Sequence, residues 1–244
     1  MLKEAIEKIV ELTKPYVVEI DGHNFYSVSN DGEYREILPE IPTPNTLTLS
    51  SLDAVITMVQ TEAIKKTEMV FISVPTATRV EVFSKSQPAK REARDVFYEA
   101  KAIDVPGWEQ SVKLPFDQAA VALQTRFQDS ADRAYCLQLL SNITTGAKIT
   151  YNDTGVATTV VTQKGIALQE NQAIKPLVKL RPYRTFQEVE QPEGLFLIRI
   201  DERGITFTEA DGGMWKLTAR KTVADYLAEN LADEISAGNV KVML

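Results

Sequence analysis

The stretch KLRPYRTFQEVEQPEGLFLIRIDERGITFTEADGGMWKLTARKTVADYLAEN, from Lys179 to Asn230, has the densest structural pattern in the chain. Its apolar run from Leu195 to Ile200 has the length of a strand, and Glu202-Arg203-Gly204 follows as a turn signal. Ile205 and Phe207 then alternate with threonines, which is typical of a half-buried strand. This part of the stretch therefore predicts a β-hairpin.

The second half of the stretch predicts a third strand and a helix. Asp211-Gly212-Gly213 is a turn signal, and Met214 to Leu217 can form a short strand. Thr218 is a suitable N-cap, because its hydroxyl can accept a hydrogen bond from a free N–H of the first helical turn. We expect the closing helix to run from about Thr218 to Ile235. Its apolar face is formed by Val223, Tyr226, Leu227, Leu231 and Ile235.

The N-terminal part of the chain alternates between helical and β patterns. Apolar residues at helical spacing predict a first helix that Pro15 ends. Asp21-Gly22 and Asn30-Asp31-Gly32 predict hairpin turns, because these residues accept the positive φ that tight turns require. Ser50 or Ser51 is the expected cap of a second helix, and the run from Met69 to Phe83 predicts another hairpin.

The middle of the chain predicts two helices between β-rich regions. The polar, basic segment from Lys85 to Arg94 is expected to be a loop, and Val96 to Ile103 fits a strand better than a helix. Phe116 to Phe127 and Ser130 to Ile143 follow as helices, with a connection short enough for an antiparallel pair. From Ala147 to Val178 the composition changes to Thr, Val, Asn and Gln, which again favours β structure.

Together these patterns predict an α+β fold with mainly antiparallel sheet and hairpins, a central helical pair and a C-terminal helix. We divide the chain into an N-terminal α+β lobe (1–104), the helical pair (105–146) and a C-terminal β-rich lobe with the closing helix (147–244). A length of 244 residues also allows a single compact domain.

The composition indicates an acidic globular protein. Hydrophobic residues make up 44% of the chain and the net charge is -7, which disfavours sequence-independent binding to nucleic acid. No apolar run is long enough to span a bilayer, and the first helix mixes Glu and Lys with its apolar residues, so we expect no leader and no membrane partner. The single cysteine, Cys136, excludes an intramolecular disulfide and fits a reducing compartment. We therefore expect a cytoplasmic protein.

The residue types and motifs of the chain favour a protein that is not an enzyme. His23 is the only histidine and directly follows a tight turn, where a polar residue is ordinary. Cys136 lies within a helical apolar pattern, the usual setting of an inert buried thiol. These numbers of Cys and His cannot build a zinc site, and neither phosphate-binding glycine motif occurs. We predict no catalytic residue, no metal and no cofactor.

The sequence contains residues that are suited to a ligand-binding surface. Two arginines and a tyrosine surround Pro182, and guanidinium groups grip phosphate while aromatic rings stack on bases. Two cations in the first turn of the closing helix follow a Gly-Gly turn, an arrangement that suits an anion. The alternatives are an Arg–aromatic cluster that holds two parts of the protein together and ordinary solvated charges. The candidate ligand-binding residues are Arg181, Tyr183, Arg184, Arg199, Trp215, Arg220 and Lys221.

Several strings in the chain resemble one family. They are LRPYRTFQEVEQP (180–192), EADGG (209–213) before Trp215, the turn VSNDG (28–32), TLSSL (48–52) and VPTATRVEVFS (74–84). With these strings most of the chain resembles a family of phage and prophage proteins from Gram-positive bacteria akin to the YfdQ-like family. The resemblance implies a phage origin and the cytoplasm of an infected bacterial host. It implies no activity, and no functional residue is carried over from it.

Three functions fit these expectations. The first is a phage-encoded, non-enzymatic protein that sequesters a small nucleotide-like ligand, such as a host immune signal. The second is an accessory DNA-binding protein of phage replication or recombination, which the net charge disfavours. The third is a structural or protein-binding role. We also expect a homo-oligomer, most simply a dimer, because the terminal residues from Val240 to Leu244 alternate as a strand that must pair with some sheet edge, although that edge can be internal.

Overall fold

The computed structural model describes residues 2–12, 17–27, 33–37, 45–88, 92–144, 148–153, 158–163, 169–201 and 203–244. Packing divides the chain into two compact units, Met1–Thr43 and Pro44–Leu244. The boundary differs from those expected at 104 and 146. It falls elsewhere because residues 240–243 pair with residues 70–73 in one sheet, so the chain from Pro44 to Leu244 is one unit.

The first unit has a helix, α1 (Leu2–Leu12), and an antiparallel sheet of β1 (Val17–Ile20), β2 (His23–Ser27) and β3 (Tyr34–Glu36). Asp21 and Gly22 join β1 to β2 with φ values of 51° and 80°, so the predicted Asp-Gly turn is confirmed. The predicted turn at 30–32 lies outside the described residues. No described side chain of this unit belongs to a hydrophobic core.

The second unit contains a five-stranded sheet of β4 (Leu47–Leu49), β5 (Val70–Thr76), β6 (Arg79–Ser84), β7 (Val96–Lys101) and β15 (Val240–Met243), in the order β15-β5-β6-β7-β4. Its central strands are antiparallel, whereas β15 and β4 run parallel to their neighbours at the two edges. The predicted hairpin over 69–83 and the predicted strand after Val96 are both confirmed.

Two helical segments cover one face of this sheet. The first begins at Leu52, where Ser51 Oγ accepts from the Ala54 N–H at 3.1 Å and confirms the expected cap. It comprises α2 (Leu52–Met58), a π-helical turn (Val59–Ala63) and α3 (Ile64–Lys66), and the second comprises α6 (Trp215–Asn230) and α7 (Ala232–Ser236). Fully buried aliphatic side chains form the first core between helices and sheet, among them Leu52, Val55, Val59, Ile72, Val82, Val223 and Leu227.

A four-stranded antiparallel sheet forms a second layer, with the order β12-β13-β14-β8. The predicted hairpin is β13 (Gly194–Asp201) and β14 (Gly204–Glu209), and β12 (Leu177–Leu180) and β8 (Ser111–Leu114) flank it. The predicted helical pair, α4 (Phe116–Arg126) and α5 (Ala131–Thr144), packs on one face of this sheet. The second core lies between them and includes Leu123, Phe127, Leu140, Ile198 and Phe207.

A third antiparallel sheet, within the region predicted to be β-rich, comprises β9 (Lys148–Asp153), β10 (Thr158–Gln163) and β11 (Gln169–Ala173). The predicted α+β class, with mainly antiparallel sheet and a C-terminal helix, is therefore confirmed. Among the helices that the structure describes, none is long and apolar enough to cross a bilayer.

Near the C-terminus, the structure differs from two expectations based on the sequence. The strand predicted from Met214 to Leu217 is wrong, because α6 begins at Trp215 and the Thr218 N–H already bonds to the Met214 carbonyl at 3.2 Å. The terminal strand exists, but it pairs with β5 of the same chain, so it requires no second copy. The homo-oligomer therefore stays a prediction without this argument.

Candidate functional site

The candidate residue Arg184 lies in a closed cluster with Glu209 and Trp215. Its side chain is 3% exposed, and its Nη1 forms an ion pair with Glu209 Oε1. Its guanidinium carbon lies 3.8 Å from the ring centre of Trp215 and 5.8 Å from that of Phe196. The Trp215 Nε1–H donates to Glu209 Oε2 at 3.3 Å. Burial lowers the pKa of Arg184 and the Glu209 carboxylate opposes that shift, so the guanidinium stays charged at neutral pH.

Local sequence holds Arg184 in this position. Gln191 Oε1 accepts from the N–H groups of Arg184 and Thr185 at 2.9 and 3.1 Å, which fixes the turn between β12 and β13. Gly194 leaves the space that the guanidinium fills, since a Cβ there would lie 2.5 Å from Arg184 Nη2. Thr185 Oγ1 also donates to the Ala77 carbonyl at the hairpin of the five-stranded sheet. This segment therefore connects the five-stranded and four-stranded sheets of the second unit.

Two other candidate arginines also have partners within the same chain. Arg181 pairs with Glu190 and lies 3.8 Å from Glu193, measured from Nε to Oε2. Arg220 donates its Nε–H to the Val74 carbonyl at 2.8 Å, so it holds α6 against β5. Tyr183 contributes its backbone to a bridge with the end of α4, where its N–H donates to the Arg126 carbonyl at 2.9 Å.

The remaining candidates are on the surface. Arg199 is exposed on the face of β13 opposite the second core, paired in register with Thr206, and Lys221 is exposed on α6. The structure therefore brings together Arg184 and Trp215 but distributes the other candidate residues over separate contacts and surfaces. These contacts favour the structural alternative for the Arg–aromatic cluster.

A groove that the sequence did not indicate lies between α4, β8 and the preceding loop at 106–109. We call it the α4–β8 groove; its volume is about 680 Å³. Because Ala119 and Leu123 turn inward to the second core, the next face of α4 forms one wall of the groove. The lining residues are Pro106, Gly107, Trp108, Glu109, Val112, Leu114, Asp117, Gln118, Val121, Ala122, Thr125 and Arg126.

Trp108 anchors the loop that closes this groove. Its ring meets Phe127 and Phe207 at centroid distances of 4.7 and 5.9 Å, both in edge-on geometry. Gly107, with φ at 69°, donates its N–H to the Tyr183 carbonyl at 3.1 Å. The Trp108 Nε1–H is buried, and no described residue accepts a hydrogen bond from it. A buried donor without an acceptor costs about 1–3 kcal/mol of folding stability.

The charges of the groove lie at opposite ends of α4. Asp117 is in the first turn and Arg126 in the last, a separation of about 13 Å along the axis at ~1.5 Å per residue. In the part of the chain that the structure describes, neither side chain forms a salt bridge, and neither does Glu109 on the loop. Val121, which is 60% exposed, lies between the charged ends. The groove therefore combines apolar side chains and the polar Gln118 and Thr125 with opposite charges near the two ends of α4.

A second cavity of about 870 Å³ lies beside α3 and the end of β6. Its three lysines suggest an anion site, but Lys66 pairs with Glu62 and Lys85 pairs with Glu68. The flanks of the expected loop over 85–94 are ordered here, because Gln87 bridges to Ala93 and donates to Asp95 at 2.9 Å. Residues 89–91 lie outside the described residues.

The residues considered for catalysis have ordinary surroundings. His23 Nδ1 lies 2.7 Å from Glu36 Oε1 on exposed strands of the first unit. Cys136 is fully buried, and burial raises the pKa of its thiol to about 12, so the reactive thiolate is disfavoured. Over the described ranges, no three His, Cys, Asp or Glu side chains are grouped closely enough to hold a metal ion.

Sequence reasoning missed the groove residues for a physical reason. The opposite charges at the two ends of α4 are visible in the sequence, and so is the turn before Trp108. That these features share one groove depends on how α4, which begins after Pro115, lies beside β8. Comparisons of the chain with protein-family models, curated proteins and solved structures found no match. The resemblance to YfdQ-like phage proteins therefore stays a prediction.

Proposed function

We propose that this chain is a phage-encoded, non-enzymatic protein that binds and sequesters a small, ring-bearing anionic molecule of the nucleotide class, and that the α4–β8 groove is its site. The observation that carries the proposal is the exposed guanidinium of Arg126 at one end of the groove, which has no carboxylate partner among the described residues. A guanidinium donates hydrogen bonds and accepts none, so Arg126 suits an anionic oxygen.

The dimensions and lining of the groove support a small organic ligand. A volume of about 680 Å³ falls within the range of about 300–1,000 Å³ that is usual for such sites. Val112, Leu114, Val121 and Ala122 supply apolar surface for a ring between the polar ends. A molecule with a ring and one anionic group matches the apolar surface and the cationic end of the groove.

The Arg184 cluster supports this placement of the site. Arg184 and Arg181 are neutralised by carboxylates of the same chain, and Arg220 binds a backbone carbonyl. A ligand phosphate would have to displace these internal partners. At Arg126 it would displace only water, because no described carboxylate pairs with that guanidinium.

Isothermal titration calorimetry with nucleoside monophosphates, cyclic nucleotides and inorganic phosphate tests the proposal. We expect a nucleotide to bind the wild type, and Arg126→Gln to weaken it by about tenfold or more, since a hydrogen bond to a charged group contributes about 1.5–3 kcal/mol. Lys221→Gln removes one exposed charge from α6 and is the matched control, which should bind as the wild type does. Absence of binding by every nucleotide, or equal losses in both variants, would contradict the proposed site.

Sequestration without catalysis is tested on the same complex. After prolonged incubation at a protein excess, the bound nucleotide should be recovered chemically unchanged by denaturation and chromatography. Conversion to a product would contradict the non-enzymatic part of the proposal, while leaving the binding site intact.

A further inference from the structure

The first unit leaves large apolar side chains on its surface. None of its described side chains is buried. Nearly half of the large apolar side chains that are exposed over the described ranges belong to this unit, although it is less than a fifth of the chain. A unit of about 40 residues buries little apolar surface and usually needs a cross-link, a metal or association to be stable. Exposed apolar surface of this extent favours association. The side chains are Leu2, Ile6, Ile9, Val17, Ile20, Tyr34 and Ile37.

The helix α1 carries the most regular part of this apolar surface. Leu2, Ile6 and Ile9 are 80%, 54% and 60% exposed, and their spacing of four and three residues places them on one side of the helix. We call this surface the α1 face. A helix of 11 residues is marginal in water without tertiary packing. An apolar partner on the α1 face would therefore stabilise the helix.

We propose that a second copy of this chain covers the α1 face, so that two copies associate through their α1 helices. The charges beside the face match those of such a copy. Lys3 and Glu7 lie on one side of the face. Glu4 and Lys8 lie on the other side. In a symmetric parallel pair, Lys3 is one residue from the level of the partner's Glu4 and five residues from that of the partner's Lys8.

An antiparallel pair is equally complementary. With Leu2 level with the partner's Ile9, Lys3 is one residue from the level of the partner's Glu7. It is five residues from the level of the partner's Lys3. At ~1.5 Å per residue, each lysine in either arrangement lies nearer along the axis to a carboxylate of the other copy than to an ammonium. The α1 face and its flanking charges are therefore complementary to themselves, as an interface between two identical subunits requires.

The same charges disfavour a membrane surface as the partner. Helices that lie on anionic membranes have a polar face rich in Lys and Arg. By contrast, α1 contains two lysines and three glutamates. A second copy is therefore the better partner, and the homo-oligomer predicted from the sequence gains an interface that does not involve the terminal strand.

Sedimentation velocity over a range of concentrations tests this interface. The wild type should form a dimer, and Ile6→Glu should raise its dissociation constant about tenfold or more, because each dimer would bury two carboxylates without partners. Ile103→Glu is the matched control. Ile103 is 55% exposed, close to the 54% of Ile6, but belongs to the second unit, so this variant should dimerise as the wild type does. A wild type that stays monomeric, or equal losses in both variants, would overturn the proposal.

Cross-linking distinguishes a lost interface from a variant that fails to fold. A disulfide needs two Cα atoms within about 7 Å of each other. Under a mild oxidant, Leu2→Cys should cross-link to itself in a parallel pair, or to Ile9→Cys in a mixture of the two variants if the pair is antiparallel. The wild type is the control, because its single cysteine, Cys136, is fully buried.

Two results of these experiments would contradict the interface. Dimers that cross-link in neither arrangement would show that another surface joins the copies. A monomeric wild type that binds vesicles of phosphatidylglycerol would show that the α1 face binds lipid instead of a second copy.

Discussion

The Arg184 guanidinium lies 3.8 Å from the ring centre of Trp215, and Glu209 bonds to both side chains. Trp215 opens the helix that covers the five-stranded sheet, whereas Glu209 ends a strand of the four-stranded sheet. Each partner therefore comes from a different layer of the second unit. The Arg184 guanidinium, which lies against aromatic rings, joins these layers. The Glu209 carboxylate neutralises its charge within the protein.

Replacing Arg184 should destabilise the fold strongly. Arg184→Met leaves the Glu209 carboxylate with the Trp215 N–H but without its cation, so the free energy of unfolding should fall by about 3–5 kcal/mol. Urea denaturation measures it. Arg203→Met, at an exposed turn, is the control and should change stability by less than about 0.5 kcal/mol. A double variant Arg184→Met/Glu209→Leu should regain much of the loss; a single variant as stable as the wild type would contradict the role of the pair.

Gly194 should be coupled to Arg184. A Cβ at position 194 would lie 2.5 Å from Arg184 Nη2 and 3.1 Å from Phe196 Cε2. Gly194→Ala should therefore cost about 1–3 kcal/mol through overpacking. In an Arg184→Ala background the nearer contact is absent, so the cost should be smaller. A double-mutant cycle by urea denaturation measures this coupling, and additive effects would argue against it.

Asp132 should contribute to stability in acid. Burial alone would raise the pKa of Asp132, but hydrogen bonds from Lys175 Nζ and the Lys179 N–H outweigh burial and lower the pKa below its ordinary value. A lowered folded pKa gives stability that is present above the unfolded pKa of about 3.9 and is lost as pH falls through the folded value.

Asp132→Asn should therefore be less stable than the wild type at pH 7, and the difference should shrink below about pH 4. Chemical denaturation at a series of pH values measures the difference. Asp225→Asn, at an exposed position of α6, is the control that should show no such pH dependence. A difference that grows in acid would show that the sign of the shift is wrong.

Deletion of residues 239–244 should lower stability without changing the oligomeric state. Val240 is 4% exposed within the first core, and β15 pairs along β5. Burial of one such side chain contributes about 1.5–3 kcal/mol, and each kcal/mol corresponds to about 2–4 °C in melting temperature for a chain of this size. Circular dichroism melting and light scattering should show a lower melting temperature at the same molar mass per particle. A change of mass would mean that the terminal strand also supports self-association.

The groove was harder to predict from the sequence than the core. Val112 and Leu114 alternate as a strand and Ala119 and Leu123 recur as a helix, so their element types are predictable from local pattern. Their shared groove forms where α4, which begins after Pro115, lies beside β8, and where Phe127 and Phe207 hold Trp108. These contacts join residues far apart in sequence, and no local periodicity encodes them.

The sequence by itself determined the class of fold and most elements, including the hairpin of β13 and β14, the pair of α4 and α5, and the strand at the terminus. Periodicity, turn residues and caps are local signals that span a few residues, so they can be recognised in the sequence alone. Only the tertiary structure decided that Arg184 is buried against Trp215, that β15 pairs with β5, and that Asp117, Trp108 and Arg126 line one groove. The free energy of a charged or polar side chain depends on its burial and its partners, and distant segments supply both.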